Sequence, residues 1–203
     1  MAKERLKVGI IAAEHSSDRL GAKIIESLQD IFEIDLYGLG GPEVNVNPIV
    51  TPNGIDYHDL HVMGLIDPLI KLPQILLNRR KLLKLFISNN IDIFIGVDSP
   101  DFNIFFHRKL KSNNVKTVQI VSPSVWGWRE NRIRAIEANI DLTMCLFKFE
   151  CDFYSKKNMQ SFFLGHPFSQ LKPKNIEDII RSHGLEASKN FISILPGSRA
   201  SEI

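Results

Sequence analysis

Cysteine is scarce in this chain. Cys145 and Cys151 are the only two, and they form neither a C-x-x-C pair nor a framework of even spacings, which excludes a disulfide-stapled scaffold and fits a reducing cytosolic compartment. Long apolar runs are lacking as well. No stretch approaches the ~20 residues that a membrane-crossing helix needs, and the apolar part of the opening MAKERLKVGIIAA is too short for the core of a secretion signal. Charge of one sign is weak: a net +2 argues against a dedicated nucleic-acid binder, which carries a stronger basic bias. The first strand–turn–helix has no G-x-G-x-x-G, so the usual dinucleotide fingerprint is absent. His58 and His61 stand three apart with no further ligand at metal spacing, and no metal site is expected. Internal repeats and low-complexity linkers are missing too.

What is present alternates between apolar runs and helical patterns. With 203 residues, 44% of them hydrophobic and 24% charged, the chain can bury one large core or two small ones. Leu6–Ala12 reads as a first buried strand, followed by a helix from Asp18 to about Gln29. Ile34–Leu39 is a second strand, closed by Gly40-Gly41-Pro42, and Val44–Asp59 is polar and proline-containing. Further strands are expected at Ile91–Val97, Val115–Val121, Leu142–Leu146 and, at an edge, Ser161–Leu164. Helices are expected at Pro73–Ser88, Asp101–Lys111, Arg129–Ile136, Glu150–Lys157 and Ile176–His183. Strands that alternate with helices over short connections predict an α/β fold with a Rossmann-like parallel sheet and helices on both faces.

The stretch Ile91–Asn103, IDIFIGVDSPDFN, organises the rest. A run rich in β-branched and aromatic residues suits a strand buried on both faces, and ligands bind at the carboxyl ends of such strands. Pro100 cannot continue the strand but suits the first turn of the following helix. Asp98 is thereby held at the rim beside a helix N-terminus. A simpler reading also stands, in which Asp98 or Ser99 only caps that helix. At other strand ends lie Glu14, Ser16 and Ser17, then Trp126, Trp128 and Arg129 in SPSVWGWR, then His166 in Gly165-His166-Pro167. Phe191–Leu195 followed by Pro196-Gly197-Ser198-Arg199 reads as a strand, a glycine turn and a helix start, a shape that can cradle a phosphate.

Charge is local. Pro68–Ile91 holds five basic residues and no acid, which leaves −3 for the remainder. Stepping at 100° per residue puts Leu72, Ile75, Leu76, Leu82, Leu83 and Phe86 on one face of the basic helix. Lys81 and Lys84 lie opposite, together with Leu77 and Leu85. With Leu65, Ile66 and Leu69 just upstream, these residues form a candidate patch for an anionic membrane surface; an ordinary amphipathic helix packed on the sheet is the alternative.

GVDSPDFN, VSPSVWGWR, Leu164-Gly165-His166-Pro167 and Leu195-Pro196-Gly197-Ser198-Arg199, together with AEHSSD and VMGLIDPL, give the chain a resemblance to the lipid-A-disaccharide synthase family. Those enzymes are glycosyltransferases of the GT-B fold, with two facing Rossmann-like domains. The resemblance implies an acceptor-side domain at 1–188, with 189–203 as the first strand and turn of a truncated donor-binding domain. It implies inverting transfer of diacylglucosamine from UDP-2,3-diacylglucosamine to the 6-hydroxyl of 2,3-diacylglucosamine 1-phosphate (lipid X), with no cofactor, since the UDP-sugar is a substrate. Asp98 would be the base, with Glu14 orienting it or a sugar hydroxyl. Ser16, Asp18, Asp101, Trp126, Trp128, Arg129 and His166 would contact substrate, while Gly197, Ser198 and Arg199 meet the diphosphate. Acylated substrates imply a peripheral protein on the cytoplasmic face of the Gram-negative inner membrane, and a homodimer is compatible with the family. Where family members carry glycines in the first turn, this chain has Ala13 and Ser17, and a turn that needs positive φ at the second would be strained there. A non-catalytic lipid or phosphosugar-binding module and another two-domain sugar-nucleotide enzyme, such as an epimerase, are the competing readings.

Overall fold

Among the described residues every strand pairing in the sheet is parallel. The computed structural model describes residues 3–57, 72–125, 132–172, 174–186, 192 and 194–195. Among them the elements follow in the order β1 (Glu4–Ala12), α1 (His15–Gln29), β2 (Phe32–Leu39), a 3-10 turn (Val44–Val46), β3 (Ile49–Val50), α2 (Leu72–Ser88), β4 (Ile93–Val97), α3 (Pro100–Lys111), β5 (Lys116–Ile120), α4 (Ile133–Asn139), β6 (Leu142–Cys145), α5 (Lys148–Ser155), β7 (Ser161–Phe163), a second 3-10 turn (Pro167–Gln170) and α6 (Ile176–Ser182). The strands lie in the order β3-β2-β1-β4-β5-β6-β7. This is the α/β class that the alternating pattern predicts.

Alternation along β1 divides the core. Val8, Ile10 and Ala12 face one side, where Leu20 and Ile25 of α1 cover them. Ile11 faces the other side, under Leu82 and Phe86 of α2 and Phe106 and Leu110 of α3. Phe86, Phe94 and Phe106 meet there with ring centroids 5.5 to 5.8 Å apart, the offset and edge geometry that aromatic quadrupoles favour. A third cluster gathers Ile136 of α4, Cys145 of β6 and Tyr154 of α5. Both cysteines are free thiols, and burial pushes the Cys145 thiol upward, away from reactivity.

Several local expectations need correction. Helix α1 begins at His15, three residues before Asp18. The reason is local chemistry: the Ser17 hydroxyl accepts from the Glu14 N–H and donates to the Glu14 carbonyl, both at 2.7 Å, so the first turn closes on itself. Ser17 therefore lies within the helix and not at a positive φ, and the glycine that family members carry there is replaced without backbone strain. The two-residue β3 is too short to show alternation and escapes a sequence reading. On α2, Leu72 and Leu76 are each 45% exposed, whereas Asn78, Leu82 and Phe86 form the buried row. The contact face follows a single i, i+4 line, and the leucines of the first turns lie off it. Helix α4 runs on to Asn139 beyond the expected stop at Ile136.

The chain divides into two compact units, Met1–Pro167 and Phe168–Ile203. The second holds α6, whose cap is Asn175: its side-chain oxygen accepts from the Glu177 N–H at 3.2 Å. Of the strand expected at Phe191–Leu195, the described Ile192, Ile194 and Leu195 belong to no strand and are exposed.

Candidate functional site

The strand order reverses between β1 and β4, and an open α/β sheet binds ligands in the crevice at such a point. The register sets Ala12 beside Val97 at the carboxyl ends of these strands. Glu14 follows Ala12 by two residues and Asp98 follows Val97 directly, so residues 84 apart in sequence meet at one rim. Both are half-buried.

The turn that presents Asp98 is strained. Asp98 has φ 54° and Ser99 has φ 40° with ψ 54°, two consecutive non-glycine residues in the left-handed region. Each such residue costs on the order of 1–3 kcal/mol, at the lower end for aspartate. Hydrogen bonds fix the turn from both sides. The Asp98 N–H donates to the Ile120 carbonyl at 2.8 Å, and the Ser99 carbonyl accepts from the Phe102 and Asn103 N–H groups at 3.0 Å each. The Asp98 carbonyl accepts from Asn103 Nδ2 at 2.8 Å and from Gln119 Nε2 at 3.0 Å. Ser99 stands at the cap position of α3, but its side chain makes no cap hydrogen bond. Helix capping alone does not account for this turn.

Asp18 lies inside, with 1% of its surface exposed. Its carboxylate accepts from the backbone N–H groups of Gly41, Glu43 and Val44 at 2.8, 2.9 and 3.1 Å. Its contribution to the crevice is thus to hold the loop after β2. Gly41 permits this approach, since a Cβ there would stand 2.6 Å from Asp18 Oδ2 and 2.7 Å from Tyr57 Cζ. Tyr57, within a stretch that reads as merely polar, packs edge-on to His15 at 6.1 Å. Burial, then the nearby charges of Asp18 and Glu14, push its phenol up to about 12. Ser16 is exposed on the first turn of α1.

Asp101, on the first turn of α3, ion-pairs with Arg132 and is largely exposed. The Arg79 guanidinium donates to the Asp101 carbonyl at 3.0 Å and lies 4.8 Å above the Phe102 ring, tying α2 to the start of α3. Next along the rim, Val121 takes φ 69°, an uncommon conformation for a β-branched residue. The Ser122 hydroxyl that follows meets the Tyr154 hydroxyl at 3.0 Å; Tyr154 itself is pushed up to about 12 by burial, with the Ser122 bond opposing. His166 packs against Phe147 with ring centroids 5.6 Å apart and planes tilted by 30°, and Phe147 stacks on Phe149 at 5.8 Å. His166 follows β7 by three residues, at the carboxyl end of a strand three places from β4 in the sheet. Trp126, Trp128, Arg129, Gly197, Ser198, Arg199, Leu65, Ile66 and Leu69, with His58 and His61, lie outside the described residues. On α2, Lys84 and Leu77 are exposed and Leu85 is half-buried, while Lys81 donates to the Asn53 carbonyl at 3.1 Å.

The residues that a sequence reading misses are Asn103, His107, Gln119 and Tyr57. The signal available for Gln119 was a polar residue in the middle of the apolar VKTVQIV.

Residues 8–203 match the family model for lipid-A-disaccharide synthetase. The lipid-A-disaccharide synthase of Acinetobacter baylyi is 35% identical over 208 residues, covering 100% of this chain and 52% of that protein. That of Aliivibrio fischeri is 38% identical over 201 residues, covering 98% and 52%, and a lipid-A-disaccharide synthase 2 of Legionella pneumophila is 37% identical, covering 100% and 53%. The chain thus spans about half the length of the curated relatives it matches. Among solved structures, a protein described as a UDP-N-acetylglucosamine 2-epimerase from Listeria monocytogenes superposes with a TM-score of 0.58 at 10% identity, over 90% of this chain and 51% of that one. That likeness concerns the fold alone.

Proposed function

Because the chain belongs to the lipid-A-disaccharide synthetase family, we propose that it supplies the acceptor-side half of an inverting glycosyltransferase of lipid A biosynthesis. The donor is UDP-2,3-diacylglucosamine and the acceptor is 2,3-diacylglucosamine 1-phosphate. The acceptor 6-hydroxyl attacks the anomeric carbon, the bond from that carbon to the UDP oxygen breaks, and the hydroxyl proton passes to the Asp98 carboxylate. A base is required because an alcohol is a poor nucleophile until its proton is taken in the transition state. Glu14, at the adjacent strand end, orients the hydroxyl or the base. Arg199 with the amides of Gly197 and Ser198 receives the charge that develops on the departing diphosphate. Trp126, Trp128, Arg129 and His166 line the acceptor side, and Asp101 shapes it through its pair with Arg132. The domain boundary falls near residue 188, where the donor-binding domain begins.

The observation that carries this reading is the position of Asp98: a carboxylate at the reversal point of a parallel sheet, on a strained turn beside Glu14. Acylated substrates reside in a bilayer, so the protein docks peripherally on the cytoplasmic face of the inner membrane. The basic helix α2 with the 65–69 segment is its docking surface. No helix among the described residues is long and apolar enough to cross a membrane.

The test joins this chain at residue 203 to the C-terminal half of the Aliivibrio fischeri relative and measures UDP release from the two lipid substrates in mixed micelles. We expect turnover, and Asp98→Asn should lower kcat by roughly 10²–10⁴. Turnover by that variant near the unsubstituted rate would remove Asp98 as the base. A hybrid that binds lipid X without turnover would favour a binding module.

A further inference from the structure

Directly beneath the Asp98 turn, three polar side chains sit in an otherwise apolar interior. Asn103 and His107 come from α3 and Gln119 from β5, and each is at most 1% exposed. They fit between helix and sheet because β4 offers Gly96 there. A Cβ on Gly96 would stand 2.9 Å from both Asn103 Nδ2 and Gln119 Oε1.

Hydrogen-bond directions follow from the acceptors. Gln119 Nε2 faces three carbonyls, those of Asp98 and Ile120 at 3.0 Å and that of Val121 at 3.3 Å, so its Oε1 must accept. Oε1 meets His107 Nε2 at 2.9 Å, which places the imidazole proton on Nε2. His107 Nδ1 and Asn103 Oδ1 have no hydrogen-bond partner among the described residues. The Phe94 ring packs edge-on to His107 at 5.0 Å.

Stability alone is a poor reason for such a cluster. Among the described residues two of its buried polar atoms find no partner, and apolar residues of the same shape would fill the site at least as well. What Asn103 and Gln119 share is their target: both donate to the Asp98 carbonyl, on a residue whose backbone is left-handed and whose successor is left-handed too.

We propose that Asn103 and Gln119, the latter anchored by His107, are positioning residues that clamp the Asp98 carbonyl and so hold its carboxylate at the rim in the orientation that catalysis requires. The inference rests on Asp98 being the base. Gln119 also spans the Asp98 and Val121 turns, so one amide sets the carboxyl ends of two neighbouring strands. Misplacing a reacting group by about 1 Å costs on the order of a hundredfold in rate, which is the effect that such a clamp prevents.

The experiment compares Gln119→Met, which keeps volume and loses the amide, with Thr117→Val. Thr117 is buried on the same face of β5, and its hydroxyl donates to the Asn139 carbonyl at 2.9 Å, far from the Asp98 turn. In the 203-residue chain, amide exchange and Cα shifts of Asp98 and Ser99 are read by NMR alongside denaturant unfolding. We expect Q119M to speed Asp98 amide exchange by roughly tenfold or more, and to shift both Cα signals, where T117V with similar loss of stability does neither. In the hybrid enzyme, Q119M should lower kcat by about ten- to a hundredfold with KM within about threefold. If Q119M does not fold, His107→Phe carries the same readouts, since it removes the anchor of the amide and packs against Phe94.

Equal exchange at Asp98 in Q119M and T117V would overturn the clamp. Faster exchange with unchanged kcat would overturn its link to chemistry. Failure of Asp98 as the base appears separately, as normal turnover by Asp98→Asn, and leaves the exchange result standing.

Discussion

One carboxylate, that of Asp18, organises the loop beyond β2 by accepting from three backbone amides at once. Hydrogen bonds to a charged acceptor are about twice as strong as neutral ones, and removing the acceptor leaves buried N–H groups unpaired. Asp18→Ala should therefore lower stability by roughly 3 kcal/mol in denaturant unfolding. His107 gives the fold a pH dependence of its own. Burial pushes its imidazole down to about 4, against smaller opposing effects of the Gln119 bond and Asp141, with Lys111 acting in the same direction as burial. The folded state therefore resists a proton that the unfolded chain takes up near 6.5. The stabilisation is complete above pH 6.5 and is lost as the pH falls to 4, with an upper size on the order of 3 kcal/mol. His107→Gln should flatten the unfolding free energy across that window relative to the unsubstituted chain, and an unchanged pH slope would show that His107 is not the titrating group. At Gly96, alanine would press on Asn103 and Gln119, and a cost of about 1–3 kcal/mol is expected in the same unfolding assay.

Helix α2 carries two sets of residues, one buried on the sheet and one exposed. Phe86, fully buried against Phe94 and Phe106, anchors it to the sheet, and Phe86→Ala should cost about 3–5 kcal/mol. Leu76 and Leu77 are nearly half exposed at the other end, near the exposed Arg80 and Lys84. A double Leu76→Ser, Leu77→Ser variant should unfold within about 0.5 kcal/mol of the unsubstituted chain. If α2 docks on membrane, that variant loses sedimentation with phosphatidylglycerol-containing vesicles. Arg80→Glu with Lys84→Glu should weaken the same binding by more than tenfold, given about 1 kcal/mol for each basic residue near an anionic surface. Lys81 belongs to neither set, because its ammonium is engaged by the Asn53 carbonyl. Full vesicle binding by both double variants would assign docking to another surface.

Across the described residues, parallel pairing of β1 with β4 is what brings the strand ends that carry Glu14 and Asp98 to one rim. Strand positions are legible in the chain because buried parallel strands need mainly apolar runs, and those runs stand out at Leu6–Ala12, Ile91–Val97 and Val115–Val121. Asp98 could be put at a rim for the same reason: the apolar run stops at a residue that a proline follows closely. Tyr57 could not, since nothing in a polar loop tells that its ring will lie on Gly41 beside Asp18. Gln119, Asn103 and His107 read separately as a polar interruption in a strand and two polar positions on a helix. What they do depends on a carbonyl that belongs to a third element.

The order of residues alone determined the class of fold, the strands that carry the core and the aspartate at the end of the central one, because these follow from local periodicity and the conformational limits of proline. Only the tertiary structure decided that the strand ends leading to Glu14 and Asp98 are neighbours, that Asp18 faces inward and that three buried amide and imidazole groups meet beneath the Asp98 turn. Those outcomes depend on strand order and on which helix covers which face, and both are set by packing between segments far apart in the chain.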